Sequence, residues 1–316
     1  MKIAINEVAP RDGLQGEPRH IATEDKIAFV DALSALPFAR IEVTSFTSPK
    51  AIPALSDASE VMTGIARNAN TIYTALVPNL RGMERGIEAG VDEFNLVMSA
   101  SETHNLTNLR MTRSQSLNQL AAMCSSATQE NKPVNISLSC AFGCPMEGEV
   151  SASDVMDLVA RFVDFGVSGI TLCDTTGMAY PNQVGDLFSS CLARYASPVF
   201  TAHFHNTRGL ALANIVAAIE GGIRSFDSAL GGIGGCPYAP GATGNVATED
   251  VVHMLECMGH ETGISVEGLN SIANWLHPRL QFGIQSHVYK AGPRSKRHPL
   301  PDDFEQTKAR ALGRSL

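Results

Sequence analysis

The chain has 316 residues, of which 44% are hydrophobic and 18% are charged, a composition typical of a globular protein with a large core. Its formal net charge of -8 argues against nucleic acid as a main partner. Residues 290–314 are an exception, because they hold seven lysines and arginines. A solvated tail explains this basic stretch more simply than a patch for an anionic ligand or a neighbouring subunit.

The cysteines and the apolar runs indicate where in the cell the protein is located. The seven cysteines are scattered and form neither a CxxC pair nor a zinc-binding motif, so we expect reduced thiols in a cytoplasmic protein. The N-terminus has no signal-peptide pattern. No apolar run approaches the roughly 18 residues that a membrane span requires, so we expect no membrane association.

Eight short apolar, β-rich runs recur along the chain, with helical periodicity between them. They lie at 2–8, 40–46, 71–77, 93–99, 134–140, 169–175, 199–205 and 225–231. Gly90, Gly166 and Gly222 each stand where a helical segment ends shortly before a strand, the position of a left-handed glycine. Eight alternating units predict an α/β fold, a (β/α)8 TIM barrel, with an open doubly wound sheet as the alternative.

Two segments exceed what a barrel requires. After the fourth strand, residues 101–113 predict a long polar loop in which His104 and Asn105 stay solvated. Residues 246–284 carry two further helical patterns, which would cap the barrel or form a wall of its site. We expect one catalytic domain over 1–316, with the barrel at about 1–245 and a helical extension and basic tail at about 246–316.

Polar side chains gather where the predicted strands end, which is where the active sites of TIM barrels lie. These side chains are Arg11, Asp12, Gln15, Glu42, Asp174, Thr175, His203, His205, Cys236 and Asn245. Charged and imidazole groups in apolar strands are costly unless they are paired or bind a metal. Their accumulation at one end of the barrel therefore indicates a functional site.

His203 and His205 form an H-x-H pair on one strand, so both imidazoles point to the same face. With the carboxylate of Asp12 and the amide oxygen of Asn245 they make a nitrogen and oxygen ligand set for a divalent cation. This set suits Mg²⁺ or Mn²⁺, and Zn²⁺ or Co²⁺ would bind more tightly where available. Two ordinary core histidines are the structural alternative.

Four other side chains are candidates for the chemistry. Asp174 and Glu42 could transfer a proton or support the metal site, although a helix cap and a structural carboxylate are the alternatives. Arg11 could stabilise an enolate or thioester oxygen, or form a surface salt bridge instead. Cys236 lies in the glycine- and proline-rich stretch GIGGCPYAPGATGN, which predicts a mobile loop that brings the thiol to the reaction.

Several motifs together resemble the 3-hydroxy-3-methylglutaryl-CoA lyase family of metal-dependent TIM-barrel lyases. They are PRDGLQ, IEVTSFTSPK, SCAFGCPMEG, HFHNTRGLALANI and GGIGGCPYAPGATGNVATEDVV, which span about 3–289 with the stretches between them. The resemblance implies a divalent cation held by Asp12, His203, His205 and Asn245. It implies catalytic roles for Arg11, Glu42, Asp174, His203 and Cys236, and substrate contacts from Arg11, Gln15 and Thr175.

The reaction implied by the resemblance is a retro-Claisen cleavage of 3-hydroxy-3-methylglutaryl-CoA to acetyl-CoA and acetoacetate, a step of leucine degradation. His203 or Asp174 would remove the hydroxyl proton, Arg11 would steady the enolate, and Cys236 would protonate it. Because barrel enzymes are often symmetric oligomers, we expect a homo-oligomer, as a dimer.

Two stretches depart from the family pattern and leave the acyl group open. Asn206 and Arg208 stand in HFHNTRG, and residues 101–113 lack the lysines that the family carries there. Citramalyl-CoA or a longer 3-hydroxy-3-alkylglutaryl-CoA is therefore the alternative substrate. The Cys236 loop disfavours a condensing synthase and a CoA-independent aldolase, and the complete ligand set disfavours a non-catalytic scaffold.

Overall fold

The computed structural model of the chain describes residues 1–234 and 244–313. Eight parallel strands close into a barrel in chain order, which confirms the predicted (β/α)8 fold. The strands are β1 (Ala4–Glu7), β2 (Arg40–Ser45), β3 (Ile72–Leu76), β4 (Glu93–Ser99), β5 (Val134–Ser139), β6 (Gly169–Asp174), β7 (Val199–Phe204) and β8 (Ser225–Ser228). Each coincides with one of the apolar runs in the sequence.

Helices surround the barrel and continue beyond it. They are α1 (Thr23–Ser34), α2 (Ala58–Gly64), α3 (Leu80–Glu88), α4 (Glu102–Leu109), α5 (Arg113–Gln129), α6 (Ala152–Asp164), α7 (Pro181–Arg194), α8 (Ala211–Glu220), α9 (Thr248–Cys257), α10 (Val266–Leu276), α11 (His287–Ala291) and α12 (Phe304–Gly313). Gly90, Gly166 and Gly222 have φ of 77°, 73° and 102°, so the predicted left-handed glycines are confirmed. These turns send the chain from the helices back into the barrel.

The two faces of the strands differ in chemistry. Ile5 and Phe226 are buried in the apolar layer between strands and helices, whereas their neighbours Asn6 and Asp227 line the barrel interior. The interior there holds a small cavity of about 30 Å³ among asparagine, threonine and charged side chains. The apolar layer stabilises the fold, and the polar interior lies directly beneath the strand ends that carry the site.

The predicted polar loop at 101–113 is wrong, because most of it is helix α4. The hydroxyl of Ser101 accepts a hydrogen bond from the His104 backbone N–H at 3.0 Å and begins the helix. Arg110 ends it in the left-handed conformation, with φ of 59°. A helix with few apolar residues shows little periodicity, and for this reason the sequence pattern concealed it.

The expectation that His104 and Asn105 are solvated is also wrong, since they are 2% and 0% exposed. The Asn105 side chain accepts from the Ser99 backbone N–H at 2.9 Å and donates to the Met111 carbonyl and the Ser116 hydroxyl at 2.8 Å each. Asn105 is buried because its amide replaces water for three partners on β4, α5 and the turn between the helices.

The C-terminal region extends the barrel with helices. The predicted helical patterns at 246–284 are confirmed by α9 and α10. Asp250 on α9 accepts backbone N–H bonds from His287 and Val288 at 3.0 and 2.7 Å, and so attaches α11. Helix α12 has no buried residue, as expected of a solvated tail. Among the described residues, no helix has both the length and the apolar character to cross a membrane.

Candidate metal centre and active site

The side chains predicted to bind a metal converge at the C-terminal end of the barrel. Asp12 lies in a π-helical turn (Ala9–Gly13) that follows β1, His203 lies on β7, and His205 directly follows that strand. One possible ligand atom from each of these three lies within 4.8 Å of the others. An ionised carboxylate and two imidazoles at this separation fit a divalent cation.

Contacts identify which imidazole nitrogens face the centre of this cluster. His205 Nε2 lies 3.7 Å from Asp12 Oδ2. His203 directs Nδ1 toward Asp227 Oδ2 at 3.2 Å, which leaves its Nε2 for the ion. The two rings lie 5.3 Å apart between centroids, close enough to share one ion.

Asp12 is held in the ionised form that a metal ligand requires. Burial raises the pKa of Asp12, but the positive charge of Arg11 and the interactions with His205 and His203 outweigh it and hold that pKa well below its usual range. Asn245 Nδ2 donates to Asp12 Oδ2 at 2.7 Å and also contacts the Ile233 carbonyl at 3.2 Å. Asn245 therefore reaches the cluster, and its role as an oxygen ligand stays a prediction.

Arg11 lies between two carboxylates, beside the candidate metal ligands. Its Nε donates to Glu42 Oε2 at 2.6 Å, and its Nη1 donates to Asp12 Oδ1 at 2.7 Å. Asn95 donates to the other Glu42 oxygen at 2.7 Å, so both of these oxygens have donors. Burial lowers the pKa of Arg11, but Glu42 and Asp12 more than compensate and raise it overall. The guanidinium is thus a fixed cation in a buried site, and the alternative of a surface salt bridge does not apply.

Asp174 ends β6 beside the histidines and is 1% exposed. Its Oδ1 accepts the Met178 backbone N–H at 2.7 Å, whereas Oδ2 has no hydrogen-bond partner in the part of the chain that the structure describes. Burial raises the pKa of Asp174, an effect that exceeds the opposing hydrogen bonds and the nearby histidines. Helix α7 begins only at Pro181, so Asp174 is not its cap.

The remaining predicted site residues are Gln15, Thr175 and Cys236. Gln15 is half-buried just after the π-helical turn, and the Thr175 hydroxyl accepts the Cys140 backbone N–H at 2.9 Å. Their substrate contacts stay predictions. Cys236 lies outside the described residues, so its predicted approach to the site is untested.

Two functional groups escaped the sequence reasoning. Asp227 contacts His203, and Asn95 supports Glu42. Both are polar residues at inward-facing positions of apolar strands. Asp227, like Glu42, is a charged residue inside an apolar strand, and this signal in the sequence points to both.

Comparison with known proteins places this site in a family. The HMGL-like family model matches residues 2–276. The chain belongs to the HMGL-like family. It is 47% identical over 279 residues to a hydroxymethylglutaryl-CoA lyase of Bacillus subtilis, covering 88% of this chain and 93% of that one. It is 39% identical over 301 residues to an (R)-citramalyl-CoA lyase of Chloroflexus aurantiacus, covering 92% and 95% respectively.

Among solved structures, the HMGL-like chain resembles an HMG-CoA lyase from Acinetobacter baumannii in complex with coenzyme A and 3-methylmalate. The TM-score is 0.92 and the identity 47%, with 95% of this chain and 98% of that one covered. The sequence-based assignment to this family is therefore confirmed.

Proposed function

We propose that the protein is a divalent-metal-dependent carbon–carbon lyase that cleaves 3-hydroxy-3-methylglutaryl-CoA to acetyl-CoA and acetoacetate. The observation that carries the proposal is the convergence of Asp12, His203 and His205 beside the buried Arg11–Glu42 pair, in a chain 47% identical to a hydroxymethylglutaryl-CoA lyase. A ligand cluster and a fixed cation at the strand ends suit a reaction that passes through an enolate.

Asp12, His203 and His205 would hold the cation, with Asn245 as the fourth ligand. When bound, the cation polarises the substrate hydroxyl and lowers its pKa. Asp174 is the better of the two predicted bases, because His203 has one nitrogen on Asp227 and the other toward the cluster. Oδ2 of Asp174 has no hydrogen-bond partner among the described residues, and this and the raised pKa of Asp174 suit it to receive the C3 hydroxyl proton.

Loss of that proton lets the bond between C2 and C3 break. The C3 oxygen becomes the ketone of acetoacetate, and the bond's electron pair passes to C2 as the enolate of acetyl-CoA. Arg11 would stabilise the enolate oxygen, since its charge is fixed by Glu42 before the reaction begins. Cys236 would donate the proton that completes the methyl group of acetyl-CoA, and Asp174 would return its proton to solvent or to the thiolate.

The identity to an (R)-citramalyl-CoA lyase supports a second candidate substrate. Cleavage of citramalyl-CoA by the same steps releases acetyl-CoA and pyruvate, so only the second product differs. Arg208 donates to the backbone carbonyls of Thr176 and Gly177 at 2.9 Å each, next to Asp174 and Thr175. This departure from the family pattern therefore shapes a loop that borders the site.

The finer assignments follow from the same chemistry. Mg²⁺ or Mn²⁺ suits the nitrogen and oxygen donors, and Zn²⁺ or Co²⁺ would bind the same set. We place the enzyme in the cytoplasm as a homodimer that serves leucine degradation. This placement rests on the scattered cysteines that form neither a CxxC pair nor a zinc-binding motif, the symmetry common among barrel enzymes and the substrate proposed above.

A substrate panel tests the proposal. With Mg²⁺ and a reducing agent present, 3-hydroxy-3-methylglutaryl-CoA, citramalyl-CoA and a longer 3-alkyl analogue are offered separately, and acetyl-CoA and the released acid are followed. We expect the highest kcat/KM with 3-hydroxy-3-methylglutaryl-CoA. Preference for citramalyl-CoA would retain the mechanism and change the substrate, whereas cleavage of none would overturn the proposed function.

A further inference from the structure

Three neighbouring strands bring a histidine, a carboxylate and an amide into one layer of the barrel interior. His203 on β7 is in register with Asp227 on β8, and Asp227 is in register with Asn6 on β1. Side chains at aligned positions of paired strands point to the same face. Asp227 therefore lies between His203 and Asn6 in this layer.

Both oxygens of Asp227 have partners. Oδ2 faces His203 Nδ1 at 3.2 Å, and Oδ1 accepts from Asn6 Nδ2 at 2.9 Å. The Asp227 side chain is 13% exposed and that of His203 is 9% exposed, so little water competes for these contacts. Asn6 is anchored in turn by Ser225 Oγ at 3.2 Å, which accepts a second bond from Thr201 at 3.0 Å.

The two histidines of the cluster are held differently. His203 has a carboxylate on Nδ1, whereas His205 Nδ1 is buried without a hydrogen-bond partner among the described residues. A carboxylate on one imidazole nitrogen keeps the proton there, so that the other nitrogen presents its lone pair outward. The same contact fixes the plane of the ring.

From this juxtaposition we propose that Asp227 is a positioning residue, which holds the proton of His203 on Nδ1 and directs Nε2 at the cation. This inference rests on the proposed metal site. Asp227 has both carboxylate oxygens engaged by protein partners. It acts through His203, and its removal should weaken the binding of the cation before any effect on the chemical step.

The first experiment measures Mn²⁺ affinity of the metal-stripped full-length protein by isothermal titration calorimetry. Loss of such an outer partner typically weakens metal binding about 10- to 100-fold, and we expect this for Asp227→Asn. Asp157→Asn is the matched control, because it makes the same substitution at an exposed position of α6. It should bind Mn²⁺ as the unmodified protein does.

Exchanging the side chains of Asn6 and Asp227 distinguishes a direct effect of Asp227 on His203 from a general effect of a buried negative charge. In Asn6→Asp/Asp227→Asn the carboxylate stays in the same layer but moves one strand away from His203. If Asp227 acts on His203 directly, the double variant binds Mn²⁺ as weakly as Asp227→Asn. Recovery of the affinity would overturn the proposal in favour of a general electrostatic role.

A second measurement needs no variant, so it stands even if Asp227→Asn fails to fold. ¹⁵N NMR of the histidines in the metal-free protein, at alkaline pH where the ring is neutral, reports which nitrogen of His203 carries the proton. A proton on Nδ1 supports the proposal, and a proton on Nε2 overturns it.

Equal Mn²⁺ affinity of the unmodified protein and Asp227→Asn also overturns the proposal. Absence of Mn²⁺ binding by the unmodified protein would instead overturn the metal site of the proposed function.

Discussion

Among single residues, Arg11 shows why the site needs a guanidinium group rather than another positively charged side chain. Its Nε and Nη2 both contact one oxygen of Glu42 at 2.6 Å, while Nη1 contacts Asp12 at 2.7 Å. A guanidinium can hold two carboxylates at once through its planar array of donors, whereas an ammonium is a compact point charge. Lysine would therefore keep the charge and lose the orientation.

We expect Arg11→Lys to lower kcat by about 10²- to 10³-fold, the usual cost of removing one group that stabilises a developing oxyanion. Steady-state kinetics with 3-hydroxy-3-methylglutaryl-CoA measure this. Arg67→Lys is the matched control, since Arg67 pairs with Asp92 at the surface, where the two side chains are 34% and 40% exposed. An unchanged kcat in Arg11→Lys would show that the Arg11 guanidinium does not stabilise the enolate.

The proposed acid Cys236 allows a second test at this scale. A serine hydroxyl is a far weaker acid than a thiol, so Cys236→Ser should lose most of its turnover while it binds Mn²⁺ normally. The control is Cys257→Ser, because Cys257 is exposed on α9. Product formation and Mn²⁺ titration are compared in both variants. Full turnover in Cys236→Ser would assign the proton donor elsewhere.

At the scale of elements, α4 depends on one buried amide. Asn105 joins this helix to β4 and α5, and removal of its side chain would leave the buried Ser99 N–H without its acceptor. Each buried group left unsatisfied costs about 1–3 kcal/mol. The stability of this part of the barrel wall thus rests on polar contacts where an apolar stripe would be usual.

Asn105→Ala should lower the free energy of unfolding by about 3 kcal/mol, since three hydrogen bonds are lost together. Urea unfolding followed by circular dichroism gives this value. Asn108→Ala, an exposed position of the same helix, makes the matching substitution and should change it by under about 0.5 kcal/mol. Equal effects of the two substitutions would contradict the role assigned to Asn105.

The elements also show what the sequence could and could not predict. All eight strands were predictable from short apolar, β-rich runs separated by helical periodicity, and three of them follow a helix-ending glycine. The convergence of Asp12, His203 and His205 was predictable because strand ends in a barrel share one face. Helix α4 and the contact between Asp227 and His203 were missed, since the first lacks an apolar stripe and the second joins side chains on different strands.

At the scale of the whole molecule, two buried carboxylates link stability to pH. Glu7 accepts the Leu230 N–H at 2.9 Å, and Glu249 accepts the Gly231 N–H at 2.9 and 3.0 Å with its two oxygens. Burial is the main cause that raises the pKa of Glu7 to about 7 and that of Glu249 to about 8. The pair joins the end of β1 to the start of α9 across the turn after β8.

These shifts predict that the protein becomes less stable as pH rises toward 8. In the unfolded chain both carboxyls titrate at about pH 4.3. Between that pH and about pH 8, the native state therefore holds protons that unfolding releases. The stabilisation is therefore complete below about pH 4.3 and is lost as pH rises through the native pKa values. Each pKa unit corresponds to about 1.4 kcal/mol.

Thermal unfolding between about pH 6 and about pH 9 measures this effect. The Tm of Glu249→Gln should fall less over that range than the Tm of the unmodified protein, because the neutral amide replaces the protonated carboxyl. Glu60→Gln, at an exposed position of α2, should follow the unmodified protein. Parallel pH curves for all three proteins would contradict the assignment of these protons to Glu249.

If Asp12, His203 and His205 hold a cation as proposed, the cleavage of 3-hydroxy-3-methylglutaryl-CoA depends on it. The most direct measurement is acetyl-CoA release by the metal-stripped protein, before and during titration with Mg²⁺. We expect negligible release without metal, and recovery that saturates as the site fills. Full turnover in the presence of a chelator, or none at any Mg²⁺ or Mn²⁺ concentration, would contradict the proposal.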